Sequence, residues 1–280
     1  MNGFRYLDEV ATMAVPHIYF ALNIEDSTPS GLGHGFTGVK FDPDYKNHSW
    51  RMYGLQEGMF NLLEMFRHHQ VPLALLINSD FVEKYPALVV RLREYQNVEV
   101  IGHGQTNTDY FHQLDFAQQV EYSRHVKDVL ESGLKLPVKG WLSPWINGNE
   151  QTIPALFEAG YTYTLDRSVS DFVGEFQQGG ARLAAVPYNI EVNDTPSLCA
   201  KSLSNQDYFQ SIIDYIDGLR FLARTDAAPV AAFPLHTPVA GRPHRLVYLD
   251  SVLSKLKQRE SDGELVLSTP GAILSGFRQQ

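Results

Sequence analysis

The chain has 280 residues, 44% of them hydrophobic and 12% aromatic, which is enough apolar surface for one barrel-sized domain or two smaller ones. A net charge of −9 argues against a nucleic-acid or anionic-membrane partner, and no apolar run approaches the roughly 20 residues that span a bilayer. Cys199 is the single cysteine, which excludes an intrachain disulfide framework and a thiolate metal cluster. The N-terminal residues are acidic where a signal peptide would be basic, so we expect a cytoplasmic protein.

Strand-like and helix-like segments alternate along the chain. The first strand is predicted at His17–Ile24 and runs directly into Glu25 and Asp26. Residues 27–49 follow as a long loop containing Gly, Pro and His, which we expect to act as a lid. Further strands are predicted at 72–78, 98–101, 139–143, 161–165, 183–188, 230–235 and 265–267, and helices at 55–69, 82–95, 116–132, 150–159, 206–223 and 246–258.

This alternation covers the whole length of the chain without a linker between two halves. It predicts one domain over residues 1–280, with a core from about 15 to 275, built as a parallel (β/α) barrel. The strand at 72–78 is apolar at nearly every residue, as parallel strands covered on both faces are. An open, doubly wound sheet is the alternative architecture.

Polar side chains follow these strands where each strand ends. The carboxyl ends of parallel strands meet at one face, so we expect the side chains to form a hydrolytic site with a base and an acid. Structural roles stay open for each one, since a lone strand-end histidine is often only hydrogen-bonded, Trp141 could be core and Asp166 a helix cap. The residues are Glu25, Asp26, Asn78, His103, Asn107, Trp141, Pro144, Asp166, Asp194 and His236.

Four short motifs occur in order along the chain. They are Ser-Trp-Arg-Met-Tyr-Gly at 49–54, Gly-His-Gly-Gln-Thr-Asn at 102–107, Gly-Trp-Leu-Ser-Pro at 140–144, and Leu-His-Thr-Pro-Val-Ala-Gly-Arg-Pro-His-Arg at 235–245. With them the chain resembles the polysaccharide deacetylase (NodB-homology, carbohydrate esterase family 4) superfamily, in its intracellular, allantoinase-like branch. The resemblance implies a distorted (β/α)7 barrel and hydrolysis of a non-peptide C–N bond.

The resemblance also implies roles for the first two motifs of that family. Glu25 occupies the position of the catalytic base, and Asp26 that of a metal ligand. His103 matches the first of two metal-binding histidines, but Asn107 stands where the second is expected. An amide is a poor zinc ligand, and zinc sites ordinarily need three protein groups, so a metal held by Asp26 and His103 would bind weakly. His103 and Asn107 are then expected to hydrogen-bond the developing oxyanion.

The later motifs are expected to complete the pocket. The resemblance implies that His236 is the general acid and that Trp141 and Pro144 form a wall, while Asp194 lies in a segment that would contact the substrate. The arginine that usually precedes the third motif, and tunes the base, is absent, because Lys139 and Gly140 stand there.

These departures favour a hydrolase of a small amide, cyclic amide or ureide that requires no cofactor. The alternatives are a zinc-dependent de-N-acetylase of an N-acetyl sugar, and a non-catalytic pseudoenzyme that binds a small ligand. We expect a small-molecule amide or sugar as the partner, no nucleic acid or membrane, and a homo-oligomer, as a dimer or tetramer.

Overall fold

A curled, mostly parallel sheet forms the centre of the molecule. The computed structural model describes residues 3–7, 15–30, 41–167, 169–222 and 227–277. The strands of this part are β1 (Phe4–Tyr6), β2 (His17–Ile24), β3 (Leu73–Ile77), β4 (Val98–Gly102), β5 (Val138–Trp141), β6 (Tyr163–Thr164), β7 (Gly174–Gln178), β8 (Ala181–Ala185), β9 (Val230–His236) and β10 (Val266–Leu267).

Helices cover the outside of the sheet. They are α1 (Tyr45–Tyr53), α2 (Met59–His69), α3 (Ser79–Lys84), α4 (Pro86–Leu92), α5 (Phe116–Leu134), α6 (Thr152–Glu158), α7 (Asn205–Gly218), α8 (Thr237–Ala240), α9 (Pro243–Ser261) and α10 (Pro270–Ser275). A π-helical turn at Gly54–Gly58 joins α1 to α2. Within the described ranges, none of these helices is long and apolar enough to cross a membrane.

Seven strands run parallel in the spatial order β9-β2-β3-β4-β5-β6-β8, and the short β10 pairs parallel with the start of β2. This arrangement confirms the predicted distorted (β/α)7 barrel in a single domain, and the open doubly wound sheet was the wrong alternative. Every residue of β3 is buried, because helices and barrel interior cover its two faces. The barrel is bridged between β8 and β9 by a side chain: Asn189 Oδ1 accepts a hydrogen bond from Ala232 N at 2.6 Å.

A hairpin that the sequence pattern did not predict extends the sheet. β7 pairs antiparallel with β8 across Gly179 and Gly180, whose φ angles are +58° and +83°. A Gly-Gly pair is a hairpin turn signal because both residues adopt positive φ without a Cβ clash. The interpretation of this stretch as one strand of a regular βα alternation overlooked that signal.

Two predicted segments differ in detail from the structure. The helix predicted at 82–95 is divided into α3 and α4 at Tyr85, since Pro86 lacks the N–H that would continue α3 and instead begins a new helix. The predicted loop at 27–49 ends earlier, because α1 begins at Tyr45 with Asp44 Oδ1 accepting from Asn47 N at 3.0 Å. Residues 31–40 of the expected lid lie outside the described residues.

Candidate active site

The ends of three strands bring one carboxylate and two imidazoles together. Glu25 follows β2, His103 follows β4, and His236 is the last residue of β9. Glu25 Oε1 lies 3.4 Å from His103 Nε2 and 3.6 Å from His236 Nε2. The three side chains are 11%, 3% and 14% exposed, so solvent reaches them only through a narrow opening. The structure thus unites three residues that the sequence placed on separate strands.

The second ring nitrogen of each histidine fixes its protonation. His103 Nδ1 lies 2.9 Å from the Leu142 carbonyl oxygen, which can only accept, so Nδ1 carries the hydrogen. His236 Nδ1 lies 2.7 Å from Asp194 Oδ1, and the ionised carboxylate there also only accepts. Each Nε2 therefore faces Glu25 Oε1 and has a hydrogen to donate only when its ring is an imidazolium.

The pKa shifts agree with that geometry. Burial raises the pKa of Glu25, but the charge of His236 and the hydrogen bond and charge of His103 outweigh it, and the pKa falls to about 2. Burial lowers the pKa of His236, but the carboxylates of Asp194 and Glu25 outweigh this, and its pKa is raised above 6.5. The contact therefore favours the ionised form of Glu25 and the protonated form of His236.

Asp194 contacts His236 in the structure, and the substrate contact predicted for it stays a prediction. The side chain is completely buried, and its second oxygen accepts from the backbone N–H of His236 at 2.8 Å. Both carboxylate oxygens are therefore engaged with His236, one at the ring and one at the main chain. This pair fixes the ring orientation and stabilises its positive charge.

Arg51 is the charged neighbour of Glu25 that the sequence interpretation missed. Its Nη1 lies 3.8 Å from Glu25 Oε2, and its Nε donates to Asn47 Oδ1 at 3.3 Å on the same helix, α1. The charge of Arg51 contributes to the lowered pKa of Glu25. Arg51 belongs to the motif at 49–54, so a positive charge beside the base is present although the third motif lacks one.

Asp26, one of the two predicted metal ligands, is paired with a lysine and a tyrosine. Its Oδ2 accepts from Lys84 Nζ at 2.5 Å, and its Oδ1 accepts from Tyr85 Oη at 3.0 Å. Among the described residues, no group of three or more His, Cys, Asp or Glu is placed to hold a metal ion. With one ligand paired to an ammonium and Asn107 in place of a histidine, the residues present do not fit a zinc site.

Asn107 sits in the turn after β4 with an unsatisfied acceptor. Its backbone N–H donates to Asp26 O at 3.0 Å, and its carbonyl accepts from Trp145 Nε1 at 3.0 Å. Within the described part of the chain, its side-chain Oδ1 is buried with no hydrogen-bond partner. A buried amide oxygen without a partner is costly. A ligand N–H would satisfy this oxygen, and the predicted contact of Asn107 with a substrate stays a prediction.

Trp141 and Pro144 are both buried next to the end of β4 and the turn that carries His103. Trp141 is fully buried, with ring centroids 5.2 Å from Phe111 and 5.3 Å from Tyr161, and its predicted place in the pocket wall stays a prediction. Pro144 is also buried, and a Cβ placed on Gly104, whose φ is +74°, would lie 2.4 Å from Pro144 Cγ. Pro144 therefore packs on the turn that carries His103, and only glycine fits at position 104.

Asp166 holds the third motif in place. Its Oδ2 accepts from Ser143 Oγ at 2.7 Å and its Oδ1 from Ser143 N at 2.9 Å, while Trp141 Nε1 donates to Ser143 Oγ at 2.9 Å. Burial raises the pKa of Asp166, although these hydrogen bonds oppose the shift. Asp166 therefore has a structural role in the described residues, but by binding Ser143 and not as the helix cap that the sequence left open.

The molecule is a (β/α) barrel with an acid–base cluster at the carboxyl ends of its parallel strands. No family model matches the chain. A Schizosaccharomyces pombe protein provisionally named a polysaccharide deacetylase is 24% identical over 228 residues, which cover 74% of this chain and 69% of that protein.

Solved structures show the same fold. Puue allantoinase superposes with a TM-score of 0.79 at 19% identity, covering 93% of this chain and 89% of that one. A Pseudomonas aeruginosa PAO1 protein provisionally named a polysaccharide deacetylase gives 0.77 at 21% identity, covering 93% and 90%. The resemblance to the polysaccharide deacetylase superfamily predicted from the motifs is thereby confirmed.

Proposed function

We propose that this protein hydrolyses a non-peptide C–N bond of a small molecule, such as an amide, a cyclic amide or a ureide. The observation that carries the proposal is the contact of Glu25 Oε1 with the Nε2 atoms of His103 and His236. A carboxylate and an imidazolium at this spacing are a general base and a general acid in their working protonation states. Their low exposure favours a small reacting group over a long polymer segment.

The reaction follows from the protons available. Glu25 accepts a proton from a water molecule as the water oxygen attacks the carbonyl carbon, giving a tetrahedral intermediate. His236 then gives its Nε2 proton to the leaving nitrogen as the C–N bond breaks. An amide yields a carboxylic acid and an amine, and a ureide cleaved at its acyl C–N bond yields a carboxylic acid and a urea. The proton held by Glu25 returns to His236, directly or through water, and restores the starting state.

Two residues are proposed to stabilise the oxyanion. His103 can donate from Nε2 only as an imidazolium, because its Nδ1–H is committed to Leu142 O. Asn107 can donate from Nδ2, and its unpaired Oδ1 can accept an N–H from a substrate. An amide-containing ring or ureide offers both a carbonyl and an N–H, which matches this pair of requirements.

The zinc-dependent de-N-acetylase is disfavoured by the donor set. Asp26 is bound to Lys84 and Tyr85, so the mechanism is proposed to run on the chain's own side chains. The pseudoenzyme alternative does not account for a buried Asp194 that binds His236 at two atoms and favours its protonated form beside Glu25. The cytoplasmic location and the homo-oligomeric state remain predictions.

The decisive experiment assays the purified protein against allantoin, formamides, cyclic imides and N-acetyl sugars, with its metal content measured in parallel. We expect turnover of a small amide or ureide that survives dialysis against a chelator. Glu25→Gln should lower kcat by about a hundred- to ten-thousand-fold, since it removes the base. Glu175→Gln is the matched control, because that buried glutamate pairs with Arg5 at the distant β1–β7 edge.

Two results would refute the proposal. Turnover confined to N-acetyl sugars and abolished by the chelator would favour the zinc-dependent deacetylase. Tight binding of a panel compound without turnover, unchanged in Glu25→Gln, would favour the pseudoenzyme.

A further inference from the structure

Asp26 is a buried carboxylate whose two oxygens are both occupied. The residue is 1% exposed, with Lys84 Nζ 2.5 Å from Oδ2 and Tyr85 Oη 3.0 Å from Oδ1. A buried carboxylate needs a countercharge and hydrogen-bond donors to stay ionised, and these two residues supply both. The family resemblance would give that task to a divalent cation.

The ammonium reaches Asp26 from the surface. Lys84 is the last residue of α3, and its side chain is 43% exposed. Its ammonium therefore contacts a buried carboxylate although the lysine lies at the protein surface. Asp80, one turn earlier on the same helix, lies 2.9 Å from Lys84 Nζ and holds the ammonium from its other side. The lysine is thus fixed between a buried and a partly exposed carboxylate.

Asp26 is also tied to the turn that carries the site residues. Its backbone N–H donates to Asn78 Oδ1 at 2.8 Å, and its carbonyl accepts from the N–H of Asn107 at 3.0 Å. The Asn78 side-chain amide donates in turn to the backbone carbonyl of His103. A shift of Asp26 would therefore displace His103 and Asn107, the two proposed oxyanion donors.

We infer that Lys84 replaces the divalent cation as the countercharge of Asp26, and that the pair positions the turn carrying His103 and Asn107. Relative to the family pattern, two residues then remove the metal site. Asn107 replaces a histidine ligand, and Lys84 occupies the carboxylate of Asp26. An exposed ion pair contributes little to stability, but the carboxylate of this pair is buried, so its countercharge matters more. The inference is independent of which C–N bond is cleaved, because it concerns metal binding.

The test measures zinc affinity in the full chain by isothermal titration calorimetry, with Co²⁺ absorption as a second readout of ligand geometry. The proteins are the natural chain, Asn107→His, and Asn107→His combined with Lys84→Met. Restoring the histidine alone should leave zinc binding weak, because Asp26 stays paired. Removing the lysine as well should tighten binding by about 10- to 100-fold and produce the Co²⁺ spectrum of a nitrogen- and oxygen-ligated site.

Further variants distinguish the effect of the Lys84 charge from effects on packing and folding. Asn107→His with Lys84→Arg keeps the charge and should bind zinc as weakly as Asn107→His alone. If the methionine variant fails to fold, Lys84→Gln retains a donor to Asp26 without the charge and should show the same gain in affinity. Lys257→Met in the Asn107→His background is the matched control, since that lysine pairs with Glu260 on α9 and should change nothing.

Equal zinc affinity for Asn107→His with and without Lys84 would overturn the inference, because the ammonium would then not compete with a metal. Tight zinc binding by the natural chain would overturn it as well.

Discussion

Replacing Asp194 by Asn should change the pH at which the protein works more than its maximal rate. Asp194 is fully buried and binds His236 twice, at 2.7 Å to the ring Nδ1 and at 2.8 Å to the backbone N–H. Asparagine keeps the size and one acceptor oxygen but removes the negative charge that stabilises the imidazolium. The proton on His236 therefore becomes easier to lose.

The size of the shift follows from the contact that is lost. A hydrogen bond to a charged group contributes about 1.5–3 kcal/mol, and one pKa unit corresponds to about 1.36 kcal/mol. Losing the charged contact should lower the pKa of His236 by roughly one to two units. The residue has a raised pKa in the natural chain, so the active, protonated form is present at low pH and lost as pH rises through that pKa. In Asp194→Asn this loss begins at lower pH.

Two measurements check the shift. The imidazole pKa can be followed by NMR in the free protein, without any substrate. The kcat/KM profile on a substrate found by the panel should show its basic limb displaced downward by the same amount, with the largest loss above pH 7. Asp171→Asn is the control, since Asp171 accepts from Tyr215 and Asn189 away from Glu25, and should leave both curves unmoved.

An unchanged pKa of His236 in Asp194→Asn would refute the electrostatic argument. A uniform loss of rate at every pH, with the pKa unmoved, would mean that Asp194 acts through ring orientation alone.

Four further changes test the site and its support. His236→Ala should lower kcat by about a hundred- to ten-thousand-fold with binding preserved, and a loss confined to KM would make it a binding residue. Trp141→Ala should reduce the free energy of unfolding in urea by about 3–5 kcal/mol because it empties a buried aromatic cluster, whereas a KM effect at unchanged stability would support its predicted wall role. Gly58→Ala should destabilise the fold and lower kcat, since its Cβ would lie 2.1 Å from Thr237 O beside the general acid. Gly218→Ala, with nothing within 4 Å of the added Cβ, should stabilise α7 by about 0.5–1 kcal/mol, and equal effects at both glycines would contradict the packing argument.

The barrel and the strand-end location of the site were predictable from sequence. Apolar runs that alternate with amphipathic segments specify βα units, and the parallel arrangement then brings their carboxyl ends to one face. Glu25, His103 and His236 each directly follow such a run, so local sequence placed them at that face. The Gly179-Gly180 hairpin carried a local signal too, although the regular alternation obscured it.

The partner of each side chain was decided only by the tertiary structure. Asp26 and Asp194 look alike in sequence, yet one turns to an ammonium 58 residues away and the other to an imidazole 42 residues away. Trp141 stands beside the site in sequence and is nevertheless fully buried. Backbone periodicity determines which face a residue occupies, whereas the direction of its side chain depends on charges and volumes from distant segments. Those become neighbours only when the barrel has formed.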